Sequence, residues 1–324
     1  MRKYQQDSKT KNPKARDNDD ISPSSDQEFS KELTRIIKGA EKIRLKHMGQ
    51  LRNRHFIFLS ALLGSVVLGG SAFAWAFLFE YNLNKGLFWL ICSILLCAGI
   101  YMWSRQPLEI YRKQYKTKVM PALGKALGNL KFNPQRGISP RVLEMAGIIP
   151  PYKNYRTEDC FTGCYKGVKM ILAEARLTDK NKAGTPVFDG VFVMLEIPDQ
   201  PFKGRTVITS DPALKKQLHR KEGLHHSAMN DFGVFSSHSE NIQSLTSEKL
   251  FQELKEISDL FDKTPLSVVF FAEKYLFMMI PCPQDLFEPS SVFVPLSTYD
   301  EIQRCKTEIQ KILSIIDILG LYKK

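Results

Sequence analysis

Two long charge-free stretches constrain the fold more than any other feature of the 324-residue chain. They cover residues 56–79 and 86–103, and neither contains Asp, Glu, Lys or Arg. A helix needs about 20 apolar residues to cross the hydrocarbon core of a bilayer. A helix that is apolar on every side for this length has no face to offer to water, which disfavours a buried hairpin of a soluble protein. The stretches therefore predict two transmembrane helices.

The six residues Glu80–Lys85 separate these spans, so we expect an antiparallel hairpin. Asn82 and Asn84 favour a tight polar turn between the helices. The first span begins at residue 56, which argues against a cleaved signal peptide. Eight Lys or Arg lie in residues 31–54 and seven in residues 105–131, whereas the connection contains one Lys. The positive-inside rule then predicts a multi-pass membrane protein with both termini in the cytoplasm.

The net charge of +12 is concentrated beside the two spans. Residues 137–324 contain 23 basic and 24 acidic residues, so the C-terminal part is balanced. A nucleic-acid-binding domain usually carries its own basic face, and we therefore predict no nucleic-acid partner. The basic residues are expected to contact anionic lipid head groups. The predicted membrane-surface residues are Arg52, Arg54, Arg105, Arg112, Lys113, Lys116 and Lys118.

Small residues recur within the first span. Ser60 with Gly64, and Ser65 with Gly69, form pairs with four-residue spacing that let helix backbones approach closely. Such pairs serve either the packing of the two spans or a seam between two copies of the chain. A homo-oligomer is thus one of two open alternatives.

The rest of the chain divides into polar, amphipathic and globular segments. Residues 1–25 have the composition of a disordered tail. Residues 26–55 predict an amphipathic basic helix. Its apolar repeat is too short to distinguish a coiled coil from ordinary helix packing. Residues 104–130 predict a basic helix that begins at Pro107. Residues 131–324 predict a cytoplasmic α+β domain, with a mixed or antiparallel sheet of six to eight strands and helices on one face.

Local patterns place the elements of this domain. Ser139-Pro140 and Gly147 bound a short helix, and residues 210–231 show no period and predict a loop. Helices are expected after Thr246 and after Thr298, the second ending at Gly320. The predicted strands are residues 161–165, 168–177, 187–197, 206–209, 232–236, 266–271 and 275–280.

A search for catalytic and metal-binding motifs returns few candidates. The sequence contains no phosphate-binding glycine loop, HExxH, GxSxG or CxxC. Cys160 and Cys164 predict free thiols, and the histidines of residues 219–238 predict surface positions rather than a metal site. We predict no cofactor, and the sequence favours a protein without enzymatic activity. One alternative is a ligand groove formed by Arg205, His225, His226 and Glu288.

Three clusters carry a resemblance to a known family. They are Val187-Phe-Asp-Gly190, Phe202-Lys-Gly-Arg-Thr206 and Asp285-Leu-Phe-Glu-Pro-Ser290. With the membrane hairpin, they resemble a bacterial membrane-anchored family catalogued as domain of unknown function 3137, over residues 30–322. The resemblance implies an inner-membrane placement and no activity for any residue. Phe188, Phe287, Gly190 and Gly204 are expected to serve the core and turns.

These observations favour a membrane-tethered binding or scaffold protein, with a cytoplasmic domain that binds an unidentified protein partner. A membrane-face enzyme or small-ligand-binding domain is the first alternative, which requires the groove residues to converge on one cleft. A secreted effector that resides in host membranes is the second, because the hairpin suits that role equally well.

Overall fold

The computed structural model describes residues 26–79, 83–179, 185–197, 203–221, 223–229, 231–245, 247–282, 286–289, 291–295 and 300–320. Within them, an antiparallel sheet carries helices on both faces, and two long apolar helices extend from this sheet domain. The predicted α+β class is thus confirmed. The predicted tail, Phe202, Thr246, Asp285 and Ser290 lie outside the described residues.

The helices of the described residues are named in chain order. They are α1 (Asp26–Leu78), α2 (Leu83–Gln114), a π-helical turn (Tyr115–Val119), α3 (Met120–Gly128), α4 (Pro140–Ala146), α5 (Pro212–His219), α6 (Ser239–Leu245), α7 (Glu248–Leu260) and α8 (Asp300–Ile318). No Pro interrupts α1, so the amphipathic and apolar segments share one helix. Pro107 lies inside α2, and the prediction that it begins a separate helix is wrong.

The strands form one sheet. They are β1 (Lys131–Asn133), β2 (Asn154–Tyr165), β3 (Val168–Thr178), β4 (Pro186–Glu196), β5 (Thr206–Thr209), β6 (His225–Met229), β7 (Phe232–Ser236), β8 (Ser267–Phe271) and β9 (Tyr275–Pro281). Their spatial order is β1-β2-β3-β4-β9-β8-β5-β7-β6, and every pair is antiparallel. The described residues therefore hold more strands than expected.

The sheet has a buried core on each face. On the first face, the start of α1 packs with α3, α7 and α8, and Leu33 and Ile36 join this core. On the second face, α4 and α5 contribute Leu143 and Leu214. Alternation along β3 supplies both sides, with Leu172 in the first core and Leu177 in the second. The expectation of helices on one face is wrong, because two short helices cover the other.

Residues 210–231 are not the predicted loop. Asp211 accepts a hydrogen bond from the Ala213 amide at 2.8 Å and caps α5, whose first residue is Pro212. Leu214 and Leu218 lie four residues apart and are both buried. The strand β6 follows as one edge of the described sheet. A cap, an N1 proline and a single i,i+4 pair were the available signals, but one pair is too short to show a period.

Other local predictions are confirmed. Helix α4 begins at Pro140, and Gly147 caps its C-terminus with a φ of 63°, in the left-handed region that favours glycine. The hairpins β2–β3 and β8–β9 turn at the predicted positions. A Cβ on Gly190 would collide with the backbone at Ile280 and Cys282, so the close approach of β4 and β9 requires glycine there.

Candidate functional site at the base of the helical pair

Helices α1 and α2 pack side by side in opposite directions. Arg54 contacts Trp103, and Ser65 Oγ lies 2.8 Å from Cys97 Sγ. The Ser93 hydroxyl donates to the Ser65 carbonyl at 3.1 Å, and a Cβ on Gly69 would lie 2.8 Å from Ser93 Oγ. Ser65 and Gly69 thus face the partner helix, and we call this contact the seam. It matches the packing alternative for that pair of small residues.

On the surfaces that face away from the seam, both helices expose apolar side chains. Of the 29 exposed large hydrophobic residues in the described part of the chain, twelve lie in residues 56–79 and eleven in residues 87–103. We call this surface the apolar band. Both helices are long and apolar enough to cross a membrane, judged by length and composition. Exposed apolar surface of this extent is unusual in a soluble monomer.

Arginines and aromatic rings lie at the end of the apolar band that is nearest to the sheet domain, which we call its lower boundary. The Arg54 guanidinium lies 4.4 Å from the centre of the Trp103 ring and donates to the Trp103 carbonyl at 3.0 Å. That carbonyl would otherwise accept the amide of residue 107, which Pro107 lacks. Arg54 therefore satisfies the acceptor that the proline leaves, and α2 continues through it. Arg105 donates to the Tyr101 hydroxyl at 3.0 Å in the same layer.

Below this boundary, the two helices meet the sheet domain through buried polar side chains, a region we call the neck. His47 Nε2 donates to Gln114 Oε1 at 3.1 Å and joins α1 to α2. Arg44 pairs with Glu41 at 2.6 Å and donates to the Val292 carbonyl at 2.8 Å, which joins α1 to the sheet domain. His47 and Arg44 are each 3% exposed, so these contacts are shielded from water.

Lys116 occupies the centre of the neck. It lies in the π-helical turn, and its Nζ is 2.6 Å from Asp159, 3.3 Å from Glu288 and 3.8 Å from Glu158. Burial alone would lower the pKa of Lys116, but the hydrogen bond with Asp159 and the attraction of the carboxylates outweigh it and raise the pKa above its ordinary value. Lys116 therefore stays protonated, and it cannot act as a nucleophile or a base near neutral pH.

Local backbone features present these carboxylates to Lys116. Asp159 has a φ of 53° and lies where the β2–β3 register shifts, a bulge that Asp tolerates better than most residues. Glu288 is held by its loop, because Phe287 packs edge-on against Phe161 at 5.2 Å and the Leu286 amide donates to Glu174 at 2.8 Å. π-Helical turns often occur at functional positions, and here one turns Lys116 toward the sheet.

The predicted ligand groove is not assembled. Glu288 faces Lys116 on the first face of the sheet. The Arg205 guanidinium lies against Gly147, at the end of α4 on the second face. The expectation that Arg205 and Glu288 converge is therefore wrong, since the sheet separates them.

The histidines also divide between the two faces. His226 is paired with Phe235 of the second core, and its ring lies 5.0 Å from that of His219. His225 directly precedes His226 in β6, so its side chain points to the opposite face. No group of three metal-ligating side chains occurs among the described residues. Cys160 and Cys164 are free thiols, and burial raises the pKa of Cys160 to about 11.

The predicted membrane-surface residues separate into two sets. Arg52, Arg54 and Arg105 lie at the lower boundary of the apolar band. Arg112, Lys113 and Lys118 are exposed, but they lie two to four helical turns further along the chain. Lys116 is a correction: its side chain is 12% exposed and paired with Asp159, which is fully buried, so it does not lie on a surface that lipid could reach.

Comparison with known proteins identifies one part of the chain. Residues 186–321 match the family model described as Protein of unknown function (DUF3137). This C-terminal segment is thus similar to that family. The match confirms the resemblance over a shorter range than residues 30–322, and it begins at β4, in the middle of the sheet. No curated protein and no solved structure matches the chain.

The residues that match DUF3137 do not include the helical pair. They also do not include Lys116 and Asp159, two of the four residues in the ion-pair cluster of the neck. Sequence reasoning missed this cluster, because its members are separated by up to 172 residues and a π-helical turn has no sequence pattern of its own. One signal was available: Glu288 is a charged residue beside Phe287, which was expected to serve the core, and a charge next to a core position needs a partner.

Proposed function

We propose that the chain is an integral membrane protein, anchored by the antiparallel pair of residues 56–79 and 86–103, which holds the sheet domain at the cytoplasmic face of a bacterial inner membrane. The apolar band carries this proposal. Its side chains face outward on both helices, and the same helices become amphipathic and buried as soon as they reach the sheet domain. Hydrocarbon is the solvent that suits such a band.

We further propose that the sheet domain is a binding or scaffold module rather than an enzyme. Three observations support this role. The domain is electrically balanced, Arg205 and Glu288 of the expected groove lie on opposite faces of the sheet, and Lys116 is engaged in ion pairs with three carboxylates. The neck fixes the module to its anchor through ion pairs and hydrogen bonds from both helices.

Alkaline extraction of membranes tests the anchoring. The full chain is expressed in bacteria, and its membranes are washed with carbonate at high pH and then with detergent. We expect the chain to stay with the membranes until detergent is added, since two spans make insertion effectively irreversible. Release by carbonate alone would contradict the proposal.

Reporter fusions test the orientation. We expect a green fluorescent protein fused to the C-terminus to fluoresce. Alkaline phosphatase inserted after Lys85 should be active, because the connection between the spans is expected to be exported. The variant Arg52→Glu, Arg54→Glu, Arg105→Glu should give mixed orientation while it remains in the membrane. A matched variant with Lys153→Glu, Lys216→Glu and Lys221→Glu, which changes exposed lysines of the sheet domain, should keep the parental orientation. Uniform parental orientation of the first variant would overturn the charge argument.

A further inference from the structure

The first part of α1 carries an exposed row of cations. Lys31, Arg35, Lys38 and Lys42 follow a spacing of 4-3-4 residues, which places them within an arc of about 60° on the helix surface. We call them the basic stripe. All four are exposed, and the Arg35 side chain is 82% exposed although it pairs with Glu32. The opposite side of α1 is buried in the first core of the sheet domain, so the stripe points away from the domain.

The geometry of α1 puts the basic stripe out of reach of a membrane. Because the helix is continuous and rises about 1.5 Å per residue, Lys42 lies about 21 Å below Phe56, and Lys31 lies about 37 Å below it. Head groups extend about 5–8 Å beyond the hydrocarbon core, and surface potentials decay over about 8 Å. A tilt of up to about 40° shortens these distances by less than a quarter. Lipid attraction therefore does not explain the stripe.

We propose that the basic stripe is a docking surface for an acidic helical segment of a protein partner. This inference rests on the proposed function, since the distance argument assumes that residues 56–79 span the membrane. Carboxylates at three- and four-residue spacing on a partner helix would match the stripe residue for residue. A second copy of α1 would present like charges. Residues 31–46 contain no aromatic side chain on which bases could stack, which favours protein over a nucleic-acid strand.

The test uses the full chain in nanodiscs of zwitterionic lipid. The probe is a fluorescent alanine-based helical peptide with glutamates at three- and four-residue spacing, and its control peptide has glutamines at the same positions. The stripe variant is Lys31→Glu, Arg35→Glu, Lys38→Glu, Lys42→Glu. The matched variant reverses four exposed lysines of the sheet domain, Lys153, Lys203, Lys216 and Lys221. Circular dichroism checks that both variants keep the parental fold.

We expect the acidic peptide to bind the parent and the matched variant within twofold of each other, with binding that weakens as salt rises. The stripe variant should bind at least tenfold more weakly, since four surface ion pairs are replaced by repulsion. Equal loss in both variants would refute the proposal. So would tighter binding of an oligonucleotide, or capture of anionic vesicles by the stripe. A chain that does not enter nanodiscs but binds the peptide would refute the anchoring and retain the stripe as an acidic-peptide surface.

Discussion

The two ends of helix α1 use hydrophobic residues in opposite ways. In the first part, Leu33, Ile36, Ile37 and Ala40 lie on one face and are buried against the sheet domain, with charged residues on the other face. In the last part, apolar residues cover every side, and Leu63 is 68% exposed. One uninterrupted helix thus matches two surroundings.

The difference shows where the surroundings of the chain change. The amphipathic part needs a protein surface for one face and water for the other. The apolar part packs on α2 along the seam, where Ser65 and Gly69 face Ser93, and most of its other side chains are exposed. The arginine and aromatic layer at Arg54 and Trp103 marks the change, as amphipathic side chains do at a membrane boundary.

The largest expected effect comes from placing charge in the apolar part. Leu63→Arg with Val67→Arg puts two guanidinium groups at exposed positions inside the band. Each costs about 2.5–3.5 kcal/mol at the centre of a spanning helix. We expect the carbonate-resistant fraction of the chain to fall severalfold.

The matched variant makes the same change in the amphipathic part. Thr34→Arg with Gly39→Arg adds two arginines at exposed positions, and a Cβ at Gly39 meets no neighbour within 4 Å. Membrane association should be unchanged. If both variants lost association equally, the two parts of α1 would not differ in their surroundings.

The next effect concerns the neck that joins the two parts to the sheet domain. Lys116→Met leaves Asp159, which is fully buried, without its nearest cation. We expect the free energy of unfolding of the sheet domain to fall by about 3 kcal/mol, measured by urea unfolding in detergent micelles and followed by circular dichroism. Lys118→Met removes an exposed neighbouring lysine and should change the free energy of unfolding by less than about 0.5 kcal/mol. Equal losses of unfolding free energy in the two variants would show that the ion pairs of Lys116 do not stabilise the domain.

The pH dependence of this difference follows from the raised pKa of Lys116. Burial opposes the charged form, but Asp159 and the other carboxylates prevail and raise the pKa. A cation with a raised folded-state pKa contributes fully below its unfolded pKa of about 10.4 and loses that contribution as pH rises further. The parent and Lys116→Met should therefore differ by a constant amount between pH 7 and about 9. A difference that shrank within this window would contradict a protonated Lys116.

The smallest effect concerns the seam within the apolar part. Gly69→Leu forces a side chain against Ser93, whereas Gly70→Leu enters open space. The first change should separate the helices at a cost of about 1–3 kcal/mol. The readout is oxidative cross-linking of Ser65→Cys with the native Cys97, scored after cleavage at a protease site inserted behind Lys85. Cross-linking should fall with Gly69→Leu and persist with Gly70→Leu, and the reverse order would place the contact on the other side of α1.

Much of the fold could be predicted, because its signals are local. Charge-free runs indicated the two apolar helices, alternation indicated most strands, and Ser139 with Gly147 bounded α4. The prediction at Pro107 was wrong because the acceptor that proline frees, the Trp103 carbonyl, is satisfied by Arg54, 49 residues earlier in the chain. Sequence rules describe the backbone group that is lost but not a distant side chain that replaces it.

The candidate site could be predicted less well, since it depends on contacts between distant segments. Lys116 has the sequence context of a membrane-surface lysine, with Lys113 and Lys118 as neighbours. Only the π-helical turn and the bulge at Asp159 bring it into the neck. Arg205 and Glu288 were expected to converge as charged members of two of the three clusters that resemble the family. Which face of a sheet each would occupy depends on the order of strands, which the sequence does not specify.

The continuity of α1 has a mechanical consequence. A rod of 53 residues is about 80 Å long, and roughly half of it extends below the apolar band. A helical pair adjusts its tilt when bilayer thickness changes, and a rotation of about 5° about Phe56 displaces Lys31 by about 3 Å. The neck ties the sheet domain to this lever at Arg44, His47 and Lys116. With the anchoring proposed above, a change in bilayer thickness would move the domain without a change in its own fold.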